Sequence, residues 1–137
     1  MTRLTEADRH QIVEVVRRAD EFATARDVDG YLALTTADMV LDGDQGTSCG
    51  SHEVRTAVGT IWAAEPPGTR HLTGDIRITA GDDATAHAYS TLSLADAGPA
   101  TPTVWAVTSI TQLLRKTDRG WLIAHRTVGT VIDSART

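Results

Sequence analysis

The second half of the chain limits the fold most. Four runs rich in Thr, Val and Ile, at about residues 70–79, 84–94, 103–115 and 121–132, alternate with turn-forming stretches. Residues of these types suit a half-buried pleated strand. The stretches between them are short: Gly81-Asp82-Asp83, then Gly98-Pro99-Ala100-Thr101-Pro102, then Asp118-Arg119-Gly120. A parallel crossover needs a dozen or more residues, so loops of this length join antiparallel neighbours. A meander of long strands twists and tends to curl, and something apolar must cover its concave side.

The first half supplies that cover. Thr5-Glu6-Ala7-Asp8 reads as a capping-box start, a hydroxyl with an acid three residues on. Ile12, Val15, Val16, Ala19, Phe22 and Ala23 then form one helical stripe, with Arg9, Glu14, Arg17, Arg18 and Glu21 largely off it. Asp27-Val28-Asp29-Gly30-Tyr31-Leu32 restarts the chain as a short helix that Asp27 or Asp29 can cap. Met39-Val40-Leu41-Asp42 reads as a short strand, ended by Gly43-Asp44-Gln45-Gly46. Ser51 is the expected cap of a third helix striped by Val54, Ala57, Val58, Ile61 and Trp62, which Pro66-Pro67-Gly68 ends. Helices segregated from a meander indicate an α+β fold. The expected architecture is a single domain over residues 1–137. It is a cone-shaped, curved, antiparallel or mixed sheet around a long N-terminal helix, with two further helices and one pocket at the open end.

Composition removes several classes of function. The net charge of −5 disfavours non-specific binding to nucleic acid or anionic membranes. The lone cysteine, Cys49, forms no intrachain disulfide, and no Cys/His spacing resembles a zinc site. Cys49 reads as a small residue near a turn rather than a nucleophile. Met1-Thr2-Arg3-Leu4-Thr5-Glu6 has no apolar stretch behind its charge, so a cytoplasmic protein without a membrane span is expected.

Three segments resemble the nuclear transport factor 2-like superfamily, which includes SnoaL-like polyketide cyclases, ketosteroid isomerases, scytalone dehydratase and limonene epoxide hydrolases. They are the joint from Ala25-Arg26-Asp27-Val28-Asp29-Gly30-Tyr31-Leu32 to Ala37-Asp38-Met39-Val40-Leu41-Asp42, the helix entry Gly50-Ser51-His52-Glu53-Val54-Arg55, and the final hairpin Asp118-Arg119-Gly120-Trp121-Leu122-Ile123-Ala124-His125-Arg126. The resemblance implies the cone fold. It implies no single chemistry, because this fold hosts many.

Asp42 is the first catalytic candidate. The resemblance to ketosteroid isomerases puts their proton-shuttling aspartate at this strand position. A carboxylate at the mouth of an apolar pocket has a raised pKa and can act as a base; the alternative is a solvated turn aspartate bonded to its own backbone. His71 is the second, in Arg70-His71-Leu72-Thr73-Gly74, a segment similar to the one that holds the catalytic histidine of scytalone dehydratase. A neutral histidine there can take a proton from carbon beside a carbonyl. The tyrosine and aspartate that relatives carry on the first helix correspond to Asp20 and Thr24, which departs from their pattern. Asp20 reads as a solvated helix residue unless the helix is rotated.

Tyr31, Trp62, Trp105 and Arg126 are the candidate substrate-binding residues. Arg126 alternates with Leu122, Ala124 and Val128 on an inward face and needs an acid, Asp42 or Asp20, or a ligand oxygen. His125 then faces the outer side of the sheet. His87 and Tyr89 share one face of their strand, with Ala86, Ala88 and Ser90 on the other. Trp121 matches the family's structural hairpin tryptophan. The polar strand Thr108-Ser109-Ile110-Thr111-Gln112, with the superfamily's habit of pairing through the outer sheet face, leads to an expected homodimer. Three functions follow as expectations. The first is a cofactor-free, metal-free acid–base enzyme (isomerase, dehydratase or polyketide-type cyclase) for an apolar oxygenated small molecule. The second is a non-catalytic ligand-binding or interaction module. The third is an epoxide hydrolase with Arg126 between two carboxylates.

Overall fold

The computed structural model describes residues 3–82, 84–96 and 103–133. Asp83 and the expected loop at 98–102 lie outside them. Helix α1 (Glu6–Ala25) leads to α2 (Val28–Leu32), β1 (Thr35–Gly43), β2 (Gly46–Cys49), α3 (Gly50–Ala64), and then β3 (Arg70–Ala80), β4 (Thr85–Ala95), β5 (Val104–Thr117) and β6 (Gly120–Asp133). Among the described residues these strands form one six-stranded sheet in the order β2-β1-β6-β5-β4-β3. The β3-β4-β5-β6 meander is antiparallel throughout, while β1 pairs with β6 in parallel. The α+β architecture and the mixed, curved sheet are as expected. The short strand β2 was not. The sequence puts Gly46 in the stretch that ends β1 and Cys49 near a turn, and only the turn back onto β1 makes a strand of Gly46-Thr47-Ser48-Cys49.

Helix α1 begins as its sequence predicts. The Thr5 hydroxyl accepts from the Asp8 backbone N–H, and the Asp8 carboxylate accepts from the Thr5 N–H, both at 3.0 Å. Asp8 Oδ1 also takes the Trp121 indole N–H and the Lys116 ammonium, each at 3.0 Å. The helix N-terminus is thereby tied to the β5–β6 hairpin. The stripe of Ile12, Val15, Val16, Ala19 and Ala23 is buried against the sheet, each large member adding roughly 1.5–3 kcal/mol. The helix ends at Arg26, whose left-handed backbone (φ 60°) sends its N–H back to the last turn. Asp27 caps α2 through the Gly30 N–H at 2.9 Å. Gly30 is required there, since a Cβ would lie 2.6 Å from the Phe22 ring.

Ser51 is not the cap of α3. The helix starts two residues earlier than a Ser51 cap would place it, with Cys49 at the cap position, and Glu53 Oε1 accepts the Cys49 N–H at 2.9 Å. Strand alternation sorts the polar run of β5: Thr108, Ile110 and Gln112 are buried on the concave side, and only Ser109 and Thr111 face out. On β4, Ala86, Ala88 and Ser90 point inward, while His87 and Tyr89 stack on the outer face at 6.4 Å. A register shift between β5 and β6 near Leu113 and Leu114 puts both Ile123 and Arg126 on the inner side despite their odd spacing.

Candidate functional site

The concave face, α2, α3 and the β1–β2 turn enclose a cavity of about 350 Å³. Leu41, Val58, Ile61, Leu92, Leu94 and Ala106 give it a largely apolar wall. Tyr31, Trp62, Trp105, Arg126 and His71 all line it. Tyr31 and Trp62 meet edge to face at 5.5 Å, and the Arg126 guanidinium lies 5.9 Å from the Tyr31 ring. Burial holds the Tyr31 hydroxyl's pKa above its ordinary value and the nearby Asp20 adds to this, against the pull of Arg126. That hydroxyl is therefore a proton donor at neutral pH.

His71 opens β3 at the edge of the sheet. The turn before it closes when Thr69 bonds back to the Pro66 carbonyl through its N–H at 3.1 Å and its hydroxyl at 2.7 Å. Gly68 takes a positive φ of 80° in that turn. The result returns Glu65, just past the end of α3, to the imidazole: Glu65 Oε1 and His71 Nε2 are 2.9 Å apart, with side chains 7% and 5% exposed. The same oxygen pairs with Arg26 Nη1 at 2.8 Å. A carboxylate only accepts, so Nε2 carries a proton, and in the neutral imidazole Nδ1 is the atom with the lone pair. Nδ1 is buried and has no hydrogen-bond partner among the described residues. Thr24 meets His71 as well, but at the backbone. Its hydroxyl accepts the His71 N–H at 2.8 Å and donates to the Asp20 carbonyl at 3.2 Å.

Asp20 is not solvated. It is buried on α1, where Oδ1 accepts from Arg126 Nη2 at 3.1 Å and Oδ2 accepts the Thr73 hydroxyl. Burial opposes the charge of Arg126 most, yet Tyr31 and Asp20 together outweigh it and raise the guanidinium's pKa. Arg126 Nη1 is left buried and unpartnered.

Asp42 requires a correction. It does not line the cavity and does not meet His71. Met39 and Leu41 point inward from β1, so strand parity turns Asp42 to the outer face. There Oδ1 accepts the Thr47 hydroxyl at 2.5 Å, and Oδ2 lies 2.6 Å from His125 Nε2. The Thr47 hydrogen bond and then the His125 contact lower its pKa, where desolvation in a pocket was expected to raise it. His125 is on the outer face, as expected. Asp44, two residues on, reaches the cavity rim and accepts the Thr130 hydroxyl. Arg126 meets one carboxylate, so the two-acid arrangement of an epoxide hydrolase is not formed among the described residues.

Sequence reasoning brought four of the lining residues and His71 to one place and missed Glu65. The only signal for Glu65 is its position directly before Pro66-Pro67 and six residues ahead of His71. The described residues contain no group of three or more His, Cys, Asp or Glu side chains able to hold a metal ion. They contain no helix long and apolar enough to cross a membrane.

Among curated proteins none is similar enough to count as a relative. Solved structures share the fold. A cystatin-like-fold protein of unknown function from Nostoc punctiforme is 23% identical with a TM-score of 0.85, covering 94% of this chain and 95% of that one. An NTF2-like protein from Novosphingobium aromaticivorans is 21% identical (TM-score 0.78; 91% and 82% covered). ActVI-ORFA from Streptomyces coelicolor is 15% identical (TM-score 0.79; 89% and 96% covered). The sequence profile of the SnoaL-like domain matches residues 5–127. The cone, its cavity and that match over nearly the whole length lead to one assignment: the chain belongs to the SnoaL-like domain family.

Proposed function

We propose that the protein is a small-pocket acid–base enzyme acting on an apolar, oxygenated small molecule, of the isomerase, dehydratase or cyclase kind. The observation that carries this is the buried His71–Glu65 pair on the wall of an apolar cavity, with Nδ1 left without a partner on one side and Arg126 on another. Glu65 fixes the ring and its tautomer. His71 Nδ1 takes a proton from carbon next to a carbonyl, and the developing charge on oxygen is met by Arg126 Nη1 and the protonated Tyr31 hydroxyl. Glu65 compensates the imidazolium that forms. Asp42 has no part in this scheme.

The test needs no knowledge of the physiological substrate. Exchange of the α-hydrogens of 2-tetralone in D2O, followed by NMR, reports proton abstraction directly. The expected result is catalysed exchange that falls by about 100-fold or more in His71→Ala and less in Glu65→Gln. Equal exchange in wild type and His71→Ala would remove His71 from the chemistry. A second reading, ligand binding without turnover, draws on Thr24, which bonds the His71 backbone and leaves the ring untouched. It predicts tetralone binding with no exchange above the buffer rate.

We also propose that two chains pair through the outer sheet face. Ser109 and Thr111, the stacked His87 and Tyr89, and Arg77 lying 5.5 Å from the Tyr89 ring present a polar and aromatic surface suited to such a contact.

A further inference from the structure

One oxygen of Glu65 serves two partners, and only one of them lines the cavity. Oε1 meets His71 Nε2 at 2.9 Å and Arg26 Nη1 at 2.8 Å. His71 and Glu65 stand on the cavity wall. Arg26 lies instead in a separate crevice with Val28, Gly59 and Ala63, which shares Trp62 with that wall. Its left-handed backbone ends α1, and the same Nη1 donates to the Ala23 carbonyl at 2.8 Å. The guanidinium is thereby fixed between the ends of α1 and α3, and the proton-transfer scheme above gives it no step.

Charge accounting gives it one. A buried carboxylate needs a compensating positive charge. With the guanidinium in place, Glu65 is compensated and the imidazole stays neutral. Without it, the Glu65–His71 pair would carry a net negative charge on two side chains only 7% and 5% exposed, and taking up a proton relieves that. The open position for the proton is Nδ1, which has no partner among the described residues. The other groups around His71 leave this count unchanged. Arg126 of β6 is matched by Asp20 of α1 at 3.1 Å, and burial keeps Tyr31 of α2 protonated. Leu94 faces His71 from β4, Arg70 beside it on β3 does not line the cavity, and Asp44 is exposed at the rim. We propose that Arg26 is a positioning residue that acts through Glu65: its charge keeps Glu65 ionised and His71 Nδ1 unprotonated, so that the base is ready at neutral pH. The balance holds through the step as well. When the substrate C–H bond breaks, the proton goes to Nδ1 and the electron pair to the substrate oxygen, so the imidazolium is matched by the enolate. This deepens the functional reading above and rests on its assignment of His71 as the base.

The full chain labelled with 15N-histidine tests this without a substrate. The ring nitrogens of His71, identified by their loss in His71→Ala, report which of them carries a proton. In the wild type at pH 7 the expected state is Nε2–H with a bare Nδ1. Arg26→Gln keeps hydrogen-bonding groups and loses the charge; Nδ1 should then be protonated at pH 7, with its titration moved up by about one pH unit or more. Arg26→Lys should restore the wild-type spectrum. Arg26→Met removes the same charge and serves if Arg26→Gln does not fold. Tetralone exchange by Arg26→Gln should be about tenfold slower at pH 7 and recover as the pH is raised. An unmoved titration in the uncharged variants, a wild-type His71 doubly protonated at pH 8, or an equal loss of exchange at every pH would each overturn the proposal. No exchange by the wild type, or exchange that survives His71→Ala, would instead sink the functional reading, and the titration would still decide what Arg26 does.

Discussion

At the residue scale, Asp8 shows how much one carboxylate can organise. It closes the capping box of α1 and holds Trp121 and Lys116 of the final hairpin. The Thr5 backbone N–H, then Trp121, then Lys116 lower its pKa far below the ordinary 3.8. A depressed folded-state value means that the contribution is fully present above the unfolded pKa and is lost as pH falls through the folded one. Stability should therefore drop progressively below about pH 4. Asp8→Asn should be less stable at neutral pH and lose less on acidification, as urea midpoints measured at pH 7 and pH 3 would show. A wild-type midpoint that falls no further than the variant's would contradict this. Residue scale is also where sequence reading went astray. Asp42 follows Met39 and Leu41 at odd spacing, so alternation places it opposite the apolar face, whereas the family resemblance implies a pocket aspartate at that position. Glu65 was not legible, because its partner depends on the closure of the turn between Pro66 and Thr69.

At the scale of elements, two glycines make opposite demands. Gly30 of α2 sits where a Cβ would strike the Phe22 ring at 2.6 Å and an Asp27 oxygen at 2.8 Å. Gly59, inside α3, has nothing within 4 Å of the same position. Gly30→Ala should cost about 1–3 kcal/mol by forcing α2 away from α1, whereas Gly59→Ala should be neutral or stabilise by about 0.5–1 kcal/mol. Denaturant midpoints of the two variants decide the matter, and equal shifts would contradict the close approach of α1 and α2. Helices and long strands were legible because their apolar periods are long. The four residues of β2 carry no period of their own, and the start of α3 depends on Glu53 reaching back to Cys49 rather than on Ser51.

At the scale of the whole molecule, the cone has two faces with separate work. The inner face carries the cavity, and the outer face carries Asp42, His125, His87 and Tyr89. The proposed pairing of chains predicts light-scattering masses of twice one chain at micromolar concentration. Thr111→Arg with Ser109→Arg should return the monomer and leave the tetralone exchange intact. A wild-type monomer at all concentrations would dispose of the dimer. The meander and the helical cover could be foreseen from loop lengths and stripes. The Asp20–Arg126 pair was foreseen only as one of two options, since it spans residues 106 positions apart.

The parallel seam between β1 and β6 carries a consequence for synthesis. Leu41 aligns with Arg126, and the Leu34 carbonyl takes the Ile123 N–H at 2.8 Å. On the ribosome, β1 emerges long before the strand that will flank it. Until then Val40 and Leu41 have β2 on one side and no strand on the other. Contacts between such distant parts of a chain form late and slowly. Nascent chains halted after β5 should therefore be sticky and protease-sensitive, and release of the last strand should make them compact in one step.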